Sequence, residues 1–309
     1  MTALRVLVST SSFAKADPAP LTRLEQAGCE VMLNPHGRVL TEDEVVALLA
    51  DVDGLIAGTE PLTERVMAER PQLRVISRVG VGLERVDLVA AVERGVRVFI
   101  TPDALTDAVA ELTLGAMLTV LRRVPEMNAT LHAGGWEKKM GTLLRGKTVG
   151  IVGLGRIGKA VALLLQPFGV RVVARDAEPD QEWAEAHGVE FMSLDDLVGV
   201  SEILTVHASG RDCLIGADEL SRLPADAIVL NAARGGLVDE RALHDGLVSG
   251  RIAGCYLDTF EREPYDGPLR DMPNALLTPH AGSYAREARA RMELEAVENL
   301  LSVLEDGRA

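Results

Sequence analysis

Aromatic residues are scarce in this chain, at 3% of the total. Its core must therefore be built from Val, Leu, Ile and Ala, which suits parallel strands buried beneath helices. Cysteine is nearly absent. Cys29, Cys213 and Cys255 are scattered, with no CxxC pair and no His/Cys cluster. That excludes a disulfide framework and a metal site of the zinc type, and it fits a reducing, cytoplasmic setting. Positive charge is outnumbered, with 32 Lys and Arg against 46 Asp and Glu, for a net charge of −14. A nucleic-acid binder needs a basic field, so that class is set aside. An anionic substrate would have to meet a local positive pocket. No apolar run reaches the roughly 18 residues that a membrane span requires. The opening residues, MTALRVLVST, do not follow the signal-peptide pattern. Neither a nucleic-acid partner nor a membrane is expected.

What remains is an ordinary globular composition, with 47% hydrophobic residues in 309, enough for about two domains of roughly 100–200 residues each. Short apolar runs alternate with amphipathic stretches. Strands are expected at 4–9, 30–33, 54–57, 74–77 and 97–100, with helices at 20–27, 41–49, 63–69 and 87–94 between them. Thr41 with Glu44 reads as a capping box, and Gly28 and Gly95 read as helix stops. This βαβ rhythm predicts a parallel sheet. A long apolar helix capped by Thr106 or Asp107 then runs almost to Pro125. The rhythm restarts near Thr148, with later strands at 202–207, 227–231, 254–258 and 275–277. A long amphipathic helix over about 285–304 closes the chain and could fold back on the first domain.

Val149–Val152 is an apolar strand, and Gly153-Leu154-Gly155-Arg156-Ile157-Gly158 follows it and opens a helix. In such a turn the first glycine allows the tight bend. The second lets a pyrophosphate approach the backbone, and the third lets helix and strand pack closely. The helix N-terminus then offers free N–H groups to the anion. With 29 glycines in the chain the pattern alone is weak, but its context strengthens it. A second strand ends at Arg175-Asp176, and Asp176 lies 23 residues beyond Gly153, where a carboxylate accepts the ribose hydroxyls of NAD. Arg175 could meet the 2′-phosphate of NADP, but Asp176 would repel it, so NAD is favoured over NADP.

Three polar features stand at strand ends in the second half: Asn231-Ala-Ala-Arg234-Gly-Gly, Leu257-Asp258-Thr-Phe-Glu261-Arg-Glu263-Pro264, and Leu277-Thr-Pro-His280-Ala-Gly282. In doubly wound sheets ligands bind at the carboxyl ends of strands. Reducing a 2-oxo acid needs a fixed cation to hold the carboxylate and polarise the ketone, a task that suits Arg. It also needs a proton donor titrating near neutrality, which is His, with a carboxylate behind it to orient the ring. Arg234, His280 and Glu263 fill those roles. Taken singly, each also reads as a solvated or structural loop residue.

GLGRIG, NAARGG, LDTFEREP and LTPHAG, in this order, resemble the D-isomer-specific 2-hydroxyacid dehydrogenases, and most closely the phosphoglycerate dehydrogenase branch. The likeness covers nearly the whole chain, including SRVGVGLERVDL and GGLVDERAL. It implies an α/β architecture of two doubly wound parallel-sheet domains, with a Rossmann NAD-binding domain (100–282) inserted in a flavodoxin-like substrate or lid domain (1–99 and 283–309). It also implies a homodimer through the cofactor domains. By this resemblance Arg234 holds the substrate, His280 is the acid/base and Glu263 its partner, while Asp258 tunes the site's pH behaviour. His207, Ala232, Asp258 and Gly282 line the cofactor, and Arg156 and Ile157 flank its pyrophosphate. Arg78, Val79, Gly80 and Val81 match the segment that holds the substrate carboxylate, through the backbone at the last three.

Departures from the family pattern bear on the substrate. A shorter stretch, Ala208–Cys213, replaces the usual proline-containing loop. Ile100, Asp103 and Leu105 stand where Asn, Gly and Asn are common, and Glu84-Arg85 where Asp-Asn is usual. Arg78 matches one phosphate-holding arginine of the branch, Gly58 stands where a second would be, and Arg85 could compensate. Because the sequence ends at Ala309, feedback through an appended regulatory domain is not expected. The expected reaction is interconversion of 3-phosphoglycerate and 3-phosphohydroxypyruvate. The alternatives are reduction of glyoxylate, hydroxypyruvate or phosphonopyruvate and, more remotely, an NAD-sensing scaffold.

Overall fold

The computed structural model describes residues 3–210 and 212–306, and the chain divides into two compact units. The first comprises the segment through Leu105 and the C-terminal segment from Tyr284. Its strands β1 (Leu4–Val8), β2 (Cys29–Leu33), β3 (Gly54–Ala57), β4 (Val75–Arg78) and β5 (Arg97–Phe99) form a parallel sheet in the order β2-β1-β3-β4-β5. That is the flavodoxin-like order, whose switch point lies between β1 and β3. In β3 all four residues are buried, which explains its unbroken apolar text.

Local signals set the helix starts. The Thr41–Glu44 capping box is present, and Thr63 and Asp87 cap the next two helices. Helix Arg286–Asp306 packs on β3 and β4. Gly54 allows this close approach, since a Cβ there would stand 3.1 Å from Leu300 and 3.2 Å from Leu304.

The second unit, Thr106–Ser283, holds β6 (Thr148–Val152), β7 (Arg171–Arg175), β8 (Val189–Phe191), β9 (Ile203–Val206), β10 (Ala227–Asn231), β11 (Ile252–Leu257) and β12 (Ala275–Leu277). Their order is β12-β11-β10-β9-β6-β7-β8. Counted within the unit this is 3-2-1-4-5-6 with a seventh strand added, the Rossmann arrangement, and its switch point falls between β6 and β9.

Two sequence expectations change here. The long helix ends at Leu121 rather than near Pro125. Arg123 turns left-handed at φ 53°, and a second helix, Val124–His132, starts with Pro125 in its first turn. Proline is tolerated there and not in a helix interior. The three-residue edge strand β8 has no counterpart in the sequence reading, because only Val189 in it is buried. The shortened loop after His207 contains Arg211, which lies outside the described residues. Among the described residues no group of His, Cys, Asp or Glu could hold a metal ion, and no helix is long and apolar enough to cross a membrane.

Candidate active site

The glycine-rich turn joins β6 to helix Arg156–Leu165, and its three glycines do different work. Gly153 has φ +97°, and a Cβ on it would stand 2.4 Å from Ala208 N. A Cβ on Gly158 would stand 2.1 Å from Gly153 O. Gly155, by contrast, has nothing within 4 Å, leaving an open approach to the backbone at a helix N-terminus. The Asp176 carboxylate stands at the end of β7 and accepts Leu154 N–H at 2.6 Å and Glu178 N–H at 2.9 Å. The charge that would meet a ribose is thus tied to the glycine turn itself.

His207 follows β9, directly beside Gly153. Its Nε2 is 2.9 Å from Thr205 Oγ1, and its Nδ1 is buried with no hydrogen-bond partner among the described residues. Burial pushes its pKa down to about 4, so the ring is neutral at neutral pH. An open glycine, a helix N-terminus, a fixed carboxylate and an orphaned ring nitrogen together fit a dinucleotide.

The turn after β10 is built by Asn231. Its side-chain amide donates to Arg234 O at 2.8 Å, and its Oδ1 accepts Ala233 N–H at 3.0 Å. Both Ala232 and Ala233 are buried, while Arg234 is half-buried and donates to Ala233 O. The turn after β11 begins at Asp258, which is 1% exposed. Its Oδ1 accepts Ala281 N–H at 2.7 Å and the Thr278 hydroxyl, and its Oδ2 accepts Gly282 N–H at 2.7 Å. Asp258 thus organises the loop that carries His280. A buried carboxylate that accepts three hydrogen bonds is well compensated for its burial.

His280 adopts φ 53°, a left-handed conformation that non-glycine residues seldom hold without support. The support comes from its N–H, which lies 2.8 Å from Asp258 O and 3.0 Å from Thr278 O. Its Nδ1 lies 3.1 Å from each oxygen of Glu263. With a carboxylate as partner Nδ1 carries a proton, which leaves Nε2 as the atom that gains or loses one. The Glu263 hydrogen bond raises the His280 pKa, and the charges of Glu263 and Asp258 add to it. Desolvation and the Arg234 charge oppose the rise.

Residues 114–282 match the D-isomer specific 2-hydroxyacid dehydrogenase, NAD binding domain. The chain belongs to that family. A D-3-phosphoglycerate dehydrogenase of Methanocaldococcus jannaschii is 37% identical over 274 residues, covering 86% of this chain and 52% of that protein. A glyoxylate reductase of Thermofilum pendens is 38% identical over 307 residues, covering 93% of this chain and 89% of that protein. The crystal structure of the TT0316 protein from Thermus thermophilus superposes with a TM-score of 0.89 at 39% identity, covering 98% of this chain and 97% of that one. The chain spans about half the length of the phosphoglycerate dehydrogenases it matches.

Within this family member, the first unit carries the remaining predicted residues. Arg78 ends β4 and donates to Gly82 O and Val79 O. Val79 N–H bonds Ala57 O at 3.0 Å, and Gly80 N–H bonds Thr101 Oγ1 at 2.8 Å. Both of those backbone donors are thus engaged within the unit, while Val81 is half-buried beside them.

Sequence reasoning assigned no place to Asn231, Thr278 or Gly235. A strand-end amide such as Asn231 has no distinctive spacing. Gly235 lies against the turn after β11: a Cβ on it would stand 1.9 Å from Phe260 O and 2.5 Å from Glu261 N. Gly235→Ala must therefore separate the Arg234 turn from the turn holding Glu263. A loss of kcat/KM of at least about tenfold is expected, with about 1–3 kcal/mol of destabilisation typical of overpacking. Steady-state rates and a denaturant midpoint check both.

Proposed function

We propose that the chain catalyses NAD-dependent hydride transfer at C2 of a small D-2-hydroxy or 2-oxo acid. One observation carries this reading. The His280–Glu263 couple, 3.1 Å apart and within the field of Arg234, follows β11 and β12 of a Rossmann sheet whose glycine turn fits a dinucleotide. When bound, the nicotinamide supplies or accepts the hydride. Arg234 holds the carboxylate and draws electron density from the ketone oxygen. His280 Nε2 gives that oxygen its proton in reduction and takes it back in oxidation. Glu263 keeps the ring oriented and stabilises the imidazolium. Asp258 holds the His280 loop and adds negative charge. His207, Ala232 and Gly282 line the cofactor. Of the substrate contacts expected on the first unit, the Val79 and Gly80 N–H groups are already taken by Ala57 O and Thr101 Oγ1, which leaves Arg78 and Val81 as the candidates.

NAD is the cofactor we favour over NADP, because the Asp176 carboxylate, fixed at the end of β7 by the Leu154 and Glu178 N–H groups, would repel a 2′-phosphate. For Asp176→Ala the kcat/KM ratio of NADH to NADPH is expected to fall by about tenfold or more, through removal of like-charge repulsion. An unchanged ratio would assign the preference elsewhere. A homodimer is the assembly we favour. Trp136, Met140 and Leu143, within eight residues of sequence, are 85%, 89% and 68% exposed, large apolar side chains that a partner would cover. All three cysteines are free, which supports a reducing, cytoplasmic location.

For the substrate, 3-phosphohydroxypyruvate is supported by the phosphoglycerate dehydrogenase relatives. A smaller acid such as glyoxylate or hydroxypyruvate is supported by the Thermofilum relative, of which a larger share is covered, and by Gly58. NADH oxidation at 340 nm against these acids and phosphonopyruvate tests the reading. A kcat/KM above about 10⁴ M⁻¹s⁻¹ for one of them names the class. Negligible turnover of all of them, with NADH still binding, would mean either that the site is built for another 2-oxo acid or that the chain is a nucleotide-sensing scaffold.

A further inference from the structure

Glu263 is useful to His280 only while the turn that carries it keeps its shape. That turn is buried from Asp258 to Phe260 and exposed from Glu261 to Pro264. Its own internal bond, Phe260 N–H to Glu263 Oε1 at 3.2 Å, involves one of the two carboxylate oxygens that lie 3.1 Å from His280 Nδ1. Beside the buried Phe260 side chain, two contacts from the segment after β10 reach this turn. One is the contact of Gly235 with the Phe260 carbonyl. The other is a side chain that the proposed chemistry does not use: Glu240 Oε1 accepts Glu261 N–H at 2.7 Å.

Glu240 is well placed for this. It is the first residue of helix Glu240–Val248, which Asp239 caps by accepting Arg241 and Ala242 N–H, both at 2.9 Å. A carboxylate at a capped helix start is held by the helix dipole as well as by its partner. Half-buried, it reaches across 21 residues of sequence to the backbone of the neighbouring turn. The charged groups facing it are Asp239, Glu261 and Glu263. Burial, with these three negative charges adding, raises its pKa. Such crowding of like charge is tolerated where a specific hydrogen bond offsets it.

We propose that Glu240 is a positioning residue for the His280–Glu263 couple, acting through the Glu261 N–H that it accepts. The proposal rests on the acid/base role of His280 given above.

The test compares Glu240→Ala, Glu240→Gln and Glu240→Asp in the full chain. Gln keeps an acceptor at the same reach and loses the charge. Asp keeps the charge and falls short of Glu261 N–H. The first readout is kcat and KM for the best 2-oxo acid. The second is titration of the His280 ring by NMR without cofactor, assigned with His280→Asn. For Ala and Asp, kcat is expected to fall about tenfold or more. KM should stay within about threefold, because Arg234 binds the substrate, and His280 should titrate at lower pH than in the wild type. Gln should restore kcat to within about threefold.

Wild-type kcat and wild-type His280 titration in both Ala and Asp would overturn the proposal. Equal impairment in Gln and Ala would also overturn it, since charge rather than the hydrogen bond would then be responsible. If Ala does not fold, Asp against Gln decides. A wild-type chain that reduces no 2-oxo acid would defeat the functional reading, and the ring titration would still decide the role of Glu240.

Discussion

His280→Asn is expected to lower kcat/KM for 2-oxo acid reduction by roughly 10²–10⁴-fold, the usual contribution of a positioned general acid. Asparagine is the informative replacement because position 280 has φ 53°, a conformation that Asn tolerates and most other residues resist. The loop should therefore stay in place while the titrating ring is lost. The pH profile separates a chemical role from a structural one. Reduction needs the imidazolium, so wild-type kcat/KM for reduction should be full below the His280 pKa and fall as pH rises through it. Oxidation needs the neutral ring and should fall as pH drops through the same value. Glu263 is the largest cause holding that pKa above its ordinary value, so Glu263→Gln should move both limbs to lower pH. In His280→Asn the limb should vanish. A surviving limb in that variant would assign the proton to another group.

Arg234→Ala should cost a comparable factor, by a different route. A guanidinium fork on a carboxylate makes two charge-assisted hydrogen bonds, each contributing about 1.5–3 kcal/mol. Losing both corresponds to roughly 10²–10⁴-fold in kcat/KM. Arg234→Lys restores the charge without the fork and should recover only part of the loss. The Arg234 charge lowers the His280 pKa, so residual activity in Arg234→Ala should show its limb at higher pH than the wild type. NADH affinity, followed by fluorescence, should be little changed, because the glycine turn and Asp176 are separate from this turn. Near-normal turnover in Arg234→Ala would remove it from the mechanism.

Much of the framework is legible in the sequence, and particular residues show why. Thr41 with Glu44 is a pair that satisfies the first N–H groups of its own helix, so the signal is local. The glycines at 153, 155 and 158 are legible for the same reason, since each answers a backbone demand within a few residues. The break after Leu121 was missed because the apolar run continues to Val124 while the backbone turns at Arg123. Pro125 marks the restart rather than the stop.

Sequence alone determined the alternation of strands and helices and the glycine turn, because periodicity and short-range turn chemistry are written residue by residue. The arginine, glutamate and histidine it offers as candidates rest on the chemistry of the reaction and on a family resemblance. Only the tertiary structure decided how these groups are held. Asp258 is engaged by Thr278, Ala281 and Gly282. Gly235 lies against Phe260, and Glu240 accepts Glu261 N–H. Each of these joins strand ends that lie far apart in the chain and become neighbours only through strand order. A hydrogen bond or a close approach depends on where two backbones meet, and no pattern along one segment encodes that meeting.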